Sequence, residues 1–253
     1  MKYIGIDIGS TASKLAIFEE KNLINTSVFA TGWSSKETAN NIKEYLISNG
    51  YVKDSLEDCF IVATGYGRVS VPFANKTLTE ITCHGMGAYY LSKEDCTVID
   101  IGGQDTKVIT LEGGRVTSFT MNDKCAAGTG RFLEMMANTL GLEIMEMSEL
   151  WKSGQGVVIS SMCTVFAESE VISLIGQGEK RENIAHGVIE SISGKVNSLC
   201  QKHGRADRYF LTGGLCDNPY MLESLEKRLG KPLNTNSLAR YAGAIGAALM
   251  GKK

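Results

Sequence analysis

The stretch Asp7-Ile8-Gly9-Ser10-Thr11-Ala12-Ser13-Lys14 recurs 93 positions later as Asp100-Ile101-Gly102-Gly103-Gln104-Asp105-Thr106-Lys107. Asp, Ile, Gly and Lys are identical in the two copies, and Ser13 matches Thr106 in type. Each copy follows an apolar strand and precedes a second strand, a turn and a third strand. Such self-similarity indicates an internal duplication. We therefore predict two related α/β lobes with a cleft between them, an N-terminal lobe at residues 1–95 and a C-terminal lobe at residues 96–253.

Short connections in the first copy predict three antiparallel strands at residues 2–9, 13–18 and 25–30. Ser34 and Glu37 have the spacing of a capping box, so a helix should begin there and cover the sheet. In the second half, the pattern predicts an amphipathic helix from Arg181 to His203. The small residues of the segment 240–248 predict a last helix whose backbone approaches another element closely.

An Asp-x-Gly turn at the end of a strand, followed by small polar residues, is typical of a phosphate-binding site, because backbone N–H groups and hydroxyls reach the phosphate oxygens. Asp7 and Asp100 lie at matching strand ends and should face each other with a phosphate between them. Like charges so placed require a divalent cation such as Mg²⁺, and Gln104 is the candidate for orienting a hydrolytic water. The predicted ATP contacts are Gly9, Ser10, Thr11, Ala12, Ser13, Lys14, Gly102, Gly103, Gln104, Gly128, Thr129, Gly130, Gly213 and Gly214. The sequence contains neither a P-loop nor a G-x-G-x-x-G opening.

Two cysteines lie in short polar segments that precede helix-like apolar patterns. Cys125 lies within residues 122–132 and Cys163 within residues 160–168. The patterns that follow are Leu133, Met136, Ala137 and Leu140 after the first cysteine, and Val165, Phe166, Ile172 and Ile175 after the second. Each has the spacing of one helix face. The unpaired N–H groups and partial positive charge of a helix N-terminus stabilise a thiolate or an anionic cluster. We therefore predict that the N-terminal ends of two helices point toward one common ligand. The alternative is that the two cysteines are simply buried thiols.

The other cysteines are assigned to core or loop positions: Cys59, Cys83, Cys96, Cys200 and Cys216. Seven cysteines without a repeated spacing do not form a disulfide framework, and none has the spacing of a zinc pair. The 253 residues carry a formal net charge of −2, which gives no reason to expect nucleic acid or a membrane surface as partner. No apolar run approaches the ~18 residues of a membrane span, and the N-terminus lacks signal-peptide features, so a cytoplasmic location is expected.

Duplicated sheets with two Asp-bearing phosphate hairpins and a later Gly213-Gly214 loop resemble the actin, sugar-kinase and heat-shock-chaperone superfamily, which has a two-lobed, duplicated ribonuclease H-like ATPase fold. Within it, the two cysteine segments resemble the BadF/BadG/BcrA/BcrD-type ATPases, which include the ATP-dependent activators (archerases) of 2-hydroxyacyl-CoA dehydratases. Ala63-Thr64-Gly65-Tyr66-Gly67-Arg68 and Cys83-His84-Gly85-Met86-Gly87 also resemble that family. The resemblance covers essentially the whole chain.

The resemblance implies a homodimer with one [4Fe–4S] cluster between its subunits, each subunit contributing Cys125 and Cys163. Mg-ATP hydrolysis would change the angle between the lobes, and Arg240 would flank the adenine. One low-potential electron would pass from ferredoxin or flavodoxin through the cluster to an iron–sulfur enzyme, either a 2-hydroxyacyl-CoA dehydratase or a double-cubane cluster protein. Two other classes stay open: a small-molecule kinase of the same superfamily, for which no clear Asp base is seen, and a non-catalytic nucleotide-dependent regulator.

Overall fold

The computed structural model describes residues 1–160 and 163–252. Its strands are β1 (Lys2–Ile8), β2 (Ala12–Glu19), β3 (Asn22–Ala30), β4 (Cys59–Thr64), β5 (Lys76–Thr77), β6 (Thr97–Ile101), β7 (Thr106–Glu112), β8 (Arg115–Asn122), β9 (Tyr209–Gly213) and β10 (Leu233–Asn234). Its helices are α1 (Ser35–Ser48), α2 (Glu80–Ser92), α3 (Gly130–Thr139), α4 (Ile144–Leu150), α5 (Thr164–Gly176), α6 (Arg181–His203), α7 (Pro219–Leu229) and α8 (Ala242–Gly251). Within these residues, no helix combines the length and hydropathy that crossing a bilayer requires.

The chain forms two compact units. The first contains residues 1–96, 109–118 and 238–252, and the second contains residues 97–108 and 119–237. The first unit thus includes α8 and residues 109–118 of the β7–β8 hairpin. The sequence-based division placed both segments in the C-terminal lobe. The predicted lobe boundaries themselves stay a prediction.

The first unit is built on a five-stranded sheet of order β3-β2-β1-β4-β5. β1 pairs antiparallel with β2, and β2 pairs antiparallel with β3, which confirms the predicted hairpins. β4 lies parallel to β1 on the other side. α1 begins after Ser34, whose side-chain oxygen accepts a hydrogen bond from the backbone N–H of Glu37 at 3.2 Å. This cap satisfies one unpaired donor of the first turn, as the sequence pattern predicted.

Alternation along β1 and β2 gives this sheet two buried faces. One face packs against α1 through a cluster that includes Ile4, Ile6, Ile8, Leu15, Ile17, Ile42 and Leu46. On the other face Ala16 and Phe18 pack against Ala244, Ile245 and Ala248 of α8. Residues near both ends of the described chain therefore share one core.

α8 lies directly on α2 without intervening side chains. A Cβ added to Gly246 would lie 1.8 Å from the carbonyl oxygen of Cys83, and one added to Gly87 would lie 1.8 Å from that of Ala242. Only hydrogen fits at these positions, because the two backbones touch. The close approach predicted from the small residues of the last helix is confirmed.

The second sheet has the order β10-β9-β6-β7-β8. β9 lies between β6 and β10 and is parallel to both. The register of β6 and β9 pairs Asp100 with Thr212 and Ile101 with Gly213, so two predicted phosphate motifs end side by side. The predicted helix from Arg181 to His203 is confirmed as α6, which packs against α4 and α7. α3 packs against α5.

Candidate functional site

Asp7 is enclosed by two glycine backbones of the first unit. It lies at the end of β1, buried, in register with Lys14 on one side and Thr64 on the other. A Cβ at Gly65 would lie 2.4 Å from Asp7 Oδ1, and a Cβ at Gly243 would lie 2.4 Å from Oδ2. No sequence argument singled out either glycine for a role at Asp7. The only signal was that Gly65 belongs to the quoted Ala-Thr-Gly-Tyr-Gly-Arg stretch and Gly243 to the small-residue helix.

Some polar side chains of the first phosphate motif already make hydrogen bonds within the first unit. Ser13 is buried, and its Oγ lies 2.9 Å from Oγ1 of Thr31. Thr31 in turn donates to the carbonyl oxygen of Gly9 at 2.8 Å, and Lys14 Nζ donates to the carbonyl oxygen of Ala12 at 3.2 Å. Phosphate binding by Gly9 to Lys14 stays a prediction. Ser10 and Thr11 lie in the turn between β1 and β2.

Asp100 occupies the matching position in the second unit, at the end of β6. Its Oδ1 accepts from the Thr212 hydroxyl at 3.0 Å, and its Oδ2 lies 3.3 Å from Lys107 Nζ. Lys107 also lies 2.8 Å from Asp105 Oδ1. Asp100 and Lys107 are both buried. The carboxylate is therefore held in one orientation by a hydroxyl and an ammonium group.

Residues 102–105, here called the phosphate loop after their predicted role, contact the start of α3. The carbonyl oxygens of Gly102 and Gly103 accept from the backbone N–H groups of Gly130 and Arg131 at 2.9 and 2.8 Å. The Gly214 N–H donates to the Ile101 carbonyl at 3.2 Å. The structure thus brings together, at one end of the second sheet, the predicted contacts Asp100, Gly102, Gly103, Gly128, Thr129, Gly130, Gly213 and Gly214.

Two further predicted residues are Gln104 and Arg240. Gln104 is exposed at the tip of the phosphate loop, where its side chain is accessible to a ligand. Arg240 belongs to the first unit, in a 3₁₀ turn (Ala239–Tyr241) that directly precedes α8. Its place near adenine stays a prediction.

Residues 123–129, here called the cysteine loop, connect β8 to α3. Cys125 is half-buried there, and the Asn122 side-chain amide donates to the carbonyl oxygens of Cys125 and Ala127 at 2.8 and 3.2 Å. α3 starts at Gly130, whereas Cys163 is the N-cap residue of α5 itself. The predicted helix that follows each cysteine is confirmed. Of the stretch quoted around Cys163, Ser161 and Met162 lie outside the described residues.

Cys125 and Cys163 line the same cavity, which has a volume of about 710 Å³. Lys195 and Lys202 of α6 also line it, as does Lys124 of the cysteine loop. An anionic group bound there would meet positive charge on two sides, and the N-terminal end of α5 adds to it. Two thiols in one cavity, beside lysines, match the donor set of an anionic metal cluster.

The other five cysteines, all among the described residues, are buried and form no disulfide. Burial raises the pKa of the thiols of Cys59, Cys83 and Cys96 to about 11 and that of Cys200 to about 12. A thiol with so high a pKa is a poor metal ligand, because the ligand is the thiolate. The core assignment of these residues is confirmed, and Cys216 is buried as well.

The apolar pattern after Cys163 does not face the core of its own chain. Val165, Phe166, Ile172 and Ile175 are all exposed, whereas Ala167 and Val171 are the buried residues of α5. The pattern after Cys125 behaves as expected, with Leu133, Met136 and Ala137 buried. α5 therefore presents an uncovered apolar face, here called the α5 face, directly beside a cysteine of the cavity.

The chain is similar over nearly its whole length to proteins of one known family. Residues 4–251 match the BadF/BadG/BcrA/BcrD ATPase family. The (R)-2-hydroxyglutaryl-CoA dehydratase activating ATPase of Acidaminococcus fermentans is 45% identical over 99% of this chain and 96% of its own. The activator of the 2-hydroxyisocaproyl-CoA dehydratase from Clostridium difficile, solved with bound ADPNP, superposes with a TM-score of 0.91 at 35% identity, covering 99% and 94% of the two chains.

A more distant structure defines the fold class. A ROK family glucokinase from Streptomyces griseus, in complex with glucose and AMPPNP, aligns with a TM-score of 0.61 at 15% identity over 100% of this chain and 99% of that one. At that identity the likeness concerns the fold alone. The predicted α/β fold of the actin, sugar-kinase and heat-shock-chaperone superfamily is confirmed.

Proposed function

The chain belongs to the BadF/BadG/BcrA/BcrD ATPase family, and we propose that it is an ATP-hydrolysing one-electron reductase that activates a partner iron–sulfur enzyme. The observation that carries the proposal is the cavity lined by both Cys125 and Cys163. It lies in the same unit as Asp100 and the phosphate loop, and the start of α3 connects that loop to the cysteine loop. The proposed redox site and the proposed nucleotide site would thus be built from adjoining segments.

In this proposal, Asp7 and Asp100 would hold Mg²⁺ together with the phosphates of ATP. Mg²⁺ keeps several of its waters and takes few carboxylate ligands, so two carboxylates at strand ends fit it. Backbone N–H groups of the glycine-containing loops bind the phosphates, with hydroxyls of Ser10 and Thr11 as further donors. Gln104 orients the attacking water. The Thr212 hydroxyl and Lys107 fix the orientation of the Asp100 carboxylate.

Cys125 and Cys163 would hold a [4Fe–4S] cluster, which supplies one-electron chemistry when bound. Such a cluster takes four thiolates, and the cavity of one chain supplies two. A second copy related by a two-fold axis would supply the other two. The α5 face supports this arrangement, since its four exposed apolar residues start next to Cys163. The lysines of the cavity would offset the negative charge of the cluster.

The acceptor proposed is a 2-hydroxyacyl-CoA dehydratase, on the strength of the relatives at 45% and 35% identity. A double-cubane cluster protein is the alternative acceptor, and ferredoxin or flavodoxin is the proposed donor. Nucleotide binding would act by stabilising one lobe arrangement over another, which requires that the nucleotide bind the two states with different affinities.

The proposal is tested by iron, acid-labile sulfide and ATP turnover on protein purified without air. We expect a brown homodimer with about four iron atoms per two chains and Mg-dependent ATP hydrolysis. Four irons in a monomer would contradict the shared cluster. A colourless protein that binds ATP would favour the kinase or the regulator instead.

A further inference from the structure

The two copies of the repeat connect their third strand to a helix in different ways. In the first copy, β3 ends at Ala30 and α1 begins at Ser35, so residues 31–34 make the connection. In the second copy, β8 ends at Asn122 and α3 begins at Gly130. The cysteine loop, residues 123–129, thus occupies the place that a short plain connection has in the first copy.

In both copies, a hydroxyl at the same repeat position makes a hydrogen bond to this connection. The hydroxyl belongs to the second strand of the copy, β2 or β7. In the first copy, Ser13 Oγ lies 2.9 Å from Oγ1 of Thr31, the first residue of the connection. In the second copy, the equivalent Thr106 donates from Oγ1 to the carbonyl oxygen of Gly128 at 2.7 Å. The hydroxyl that stabilises a plain connection in one copy therefore holds the cysteine loop in the other.

We propose that Thr106 is a positioning residue that transmits the state of the nucleotide from the phosphate loop to the cysteine loop. The inference rests on the proposed function, since it requires a nucleotide at residues 102–105. Thr106 directly follows that loop in the chain, so a shift of the loop moves the start of β7. Its short bond to Gly128 carries the shift onward to the segment that holds Cys125.

Three of the hydrogen bonds described above join residues 102–106 to residues 128–131, and only one of these three uses a side chain. The bonds from Gly130 and Arg131 to the carbonyls of Gly102 and Gly103 are made by the backbone and hold the start of α3. The Thr106 bond instead reaches the interior of the cysteine loop, at a residue with φ of +88°. Both ends of that bond are buried, so its loss would leave the Gly128 carbonyl without this donor. The Thr106 bond is therefore the one of these three that a side-chain substitution can remove while leaving the backbone hydrogen bonds in place.

Hydrogen–deuterium exchange of the full chain tests this directly, because each loop is followed by its own peptides. The nucleotides compared are ADP and a non-hydrolysable ATP analogue. In the wild type we expect peptides covering 102–105 and peptides covering 123–129 to exchange at rates that differ roughly twofold or more between the two nucleotides. In Thr106→Val, the difference should persist at 102–105 and vanish at 123–129. Thr106→Ser keeps the hydroxyl and should retain the exchange difference at 123–129.

The matched control is Thr139→Val, which makes the same change in α3, where the hydroxyl donates mainly to the Met135 carbonyl of its own helix at 2.9 Å. It should keep both responses. If Thr106→Val does not fold, Thr106→Ala removes the hydroxyl with a smaller side chain.

An unchanged nucleotide response of residues 123–129 in a folded variant without the Thr106 hydroxyl would overturn the inference. So would a wild type that binds nucleotide at 102–105 with no response at 123–129. If neither nucleotide protects any peptide of the wild type, the proposed ATPase site is wrong and the inference falls with it.

Discussion

Lys107 and Asp100 form a buried ion pair, with Nζ 3.3 Å from Oδ2. A buried charge that loses its partner is destabilising by about 3–5 kcal/mol. We therefore expect Lys107→Met to lower the free energy of unfolding by about that amount, because the carboxylate of Asp100 stays behind. Urea denaturation measures the change. The control is Lys231→Met, which breaks an exposed pair with Asp207 and should cost less than about 1 kcal/mol.

Asp7→Asn and Asp100→Asn should each lower Mg-dependent ATP turnover by about 10- to 100-fold, the usual effect of losing a group that orients metal-bound water. The fold should persist, because the amide has the shape of the carboxylate and Lys107 keeps its ion pair with Asp105 in Asp100→Asn. Turnover at saturating ATP is the measurement, and Asp207→Asn serves as the control because that side chain is 96% exposed. Full activity in both variants would show that the aspartates do not anchor the metal.

Gly243→Ala should impair ATP turnover through Asp7, since the new Cβ would lie 2.4 Å from Oδ2 and must displace the carboxylate or α8. We expect a lower melting temperature together with the lost turnover. Gly194→Ala is the matched control, because that glycine lies in α6 with nothing within 4 Å of its added Cβ. It should be neutral or stabilise by up to about 1 kcal/mol. An active Gly243→Ala enzyme would mean that α8 does not position Asp7.

Cys125→Ser and Cys163→Ser should each remove the proposed cluster, since either change takes two of the four thiolates from a dimer. Nucleotide binding should survive, as measured by calorimetry. Iron and acid-labile sulfide are determined without air, with Cys96→Ser as the control, because that thiol is buried outside the cavity. Retention of a full cluster in either variant would place its ligands elsewhere.

The buried Cys200 thiol should make stability fall in alkaline solution. Burial raises its pKa from 9.0 to about 12, so the unfolded state loses its proton first as the pH rises. The stability that Cys200 contributes is therefore fully present below about pH 9 and falls above it, by up to about 1.4 kcal/mol per pH unit.

The measurement is the difference in unfolding free energy between the wild type and Cys200→Ala, which should shrink between about pH 9 and pH 10. Val196→Ala on the same buried face of α6 is the control. Its difference from the wild type should not change with pH, and a constant difference for Cys200→Ala would show that its thiol ionises normally.

The sheets, hairpins and long helices were predictable because their signals are local. The repeat, the capping residues Ser34 and Glu37, and the period of α6 each lie within a short segment whose geometry they determine. The family was predictable because the cysteine segments are specific. The residues expected to contact ATP remain predictions, although those of the second unit lie together at one end of its sheet.

The orientation of α5 and the surroundings of Asp7 were not predictable in the same way. Apolar spacing after Cys163 indicates a helix, but it does not say whether the covering surface belongs to the same chain, and Val165 and Phe166 are exposed. Gly243 contacts Asp7 only through the tertiary fold, far along the sequence. The Ser13 hydroxyl was expected at a phosphate, and its contact with Thr31 depends on the register of the β2–β3 pairing, which sequence spacing does not reveal.

The discontinuity of the first unit also bears on how the protein is made. The sheet of β1 to β4 is synthesised first, but the face that carries Ala16 and Phe18 is covered by Ala244, Ile245 and Ala248. A ribosome must therefore translate the entire second unit before this apolar face is covered. Until then the nascent chain exposes apolar surface that favours aggregation. Release of the chain before α8 is made would therefore yield a first unit prone to aggregation.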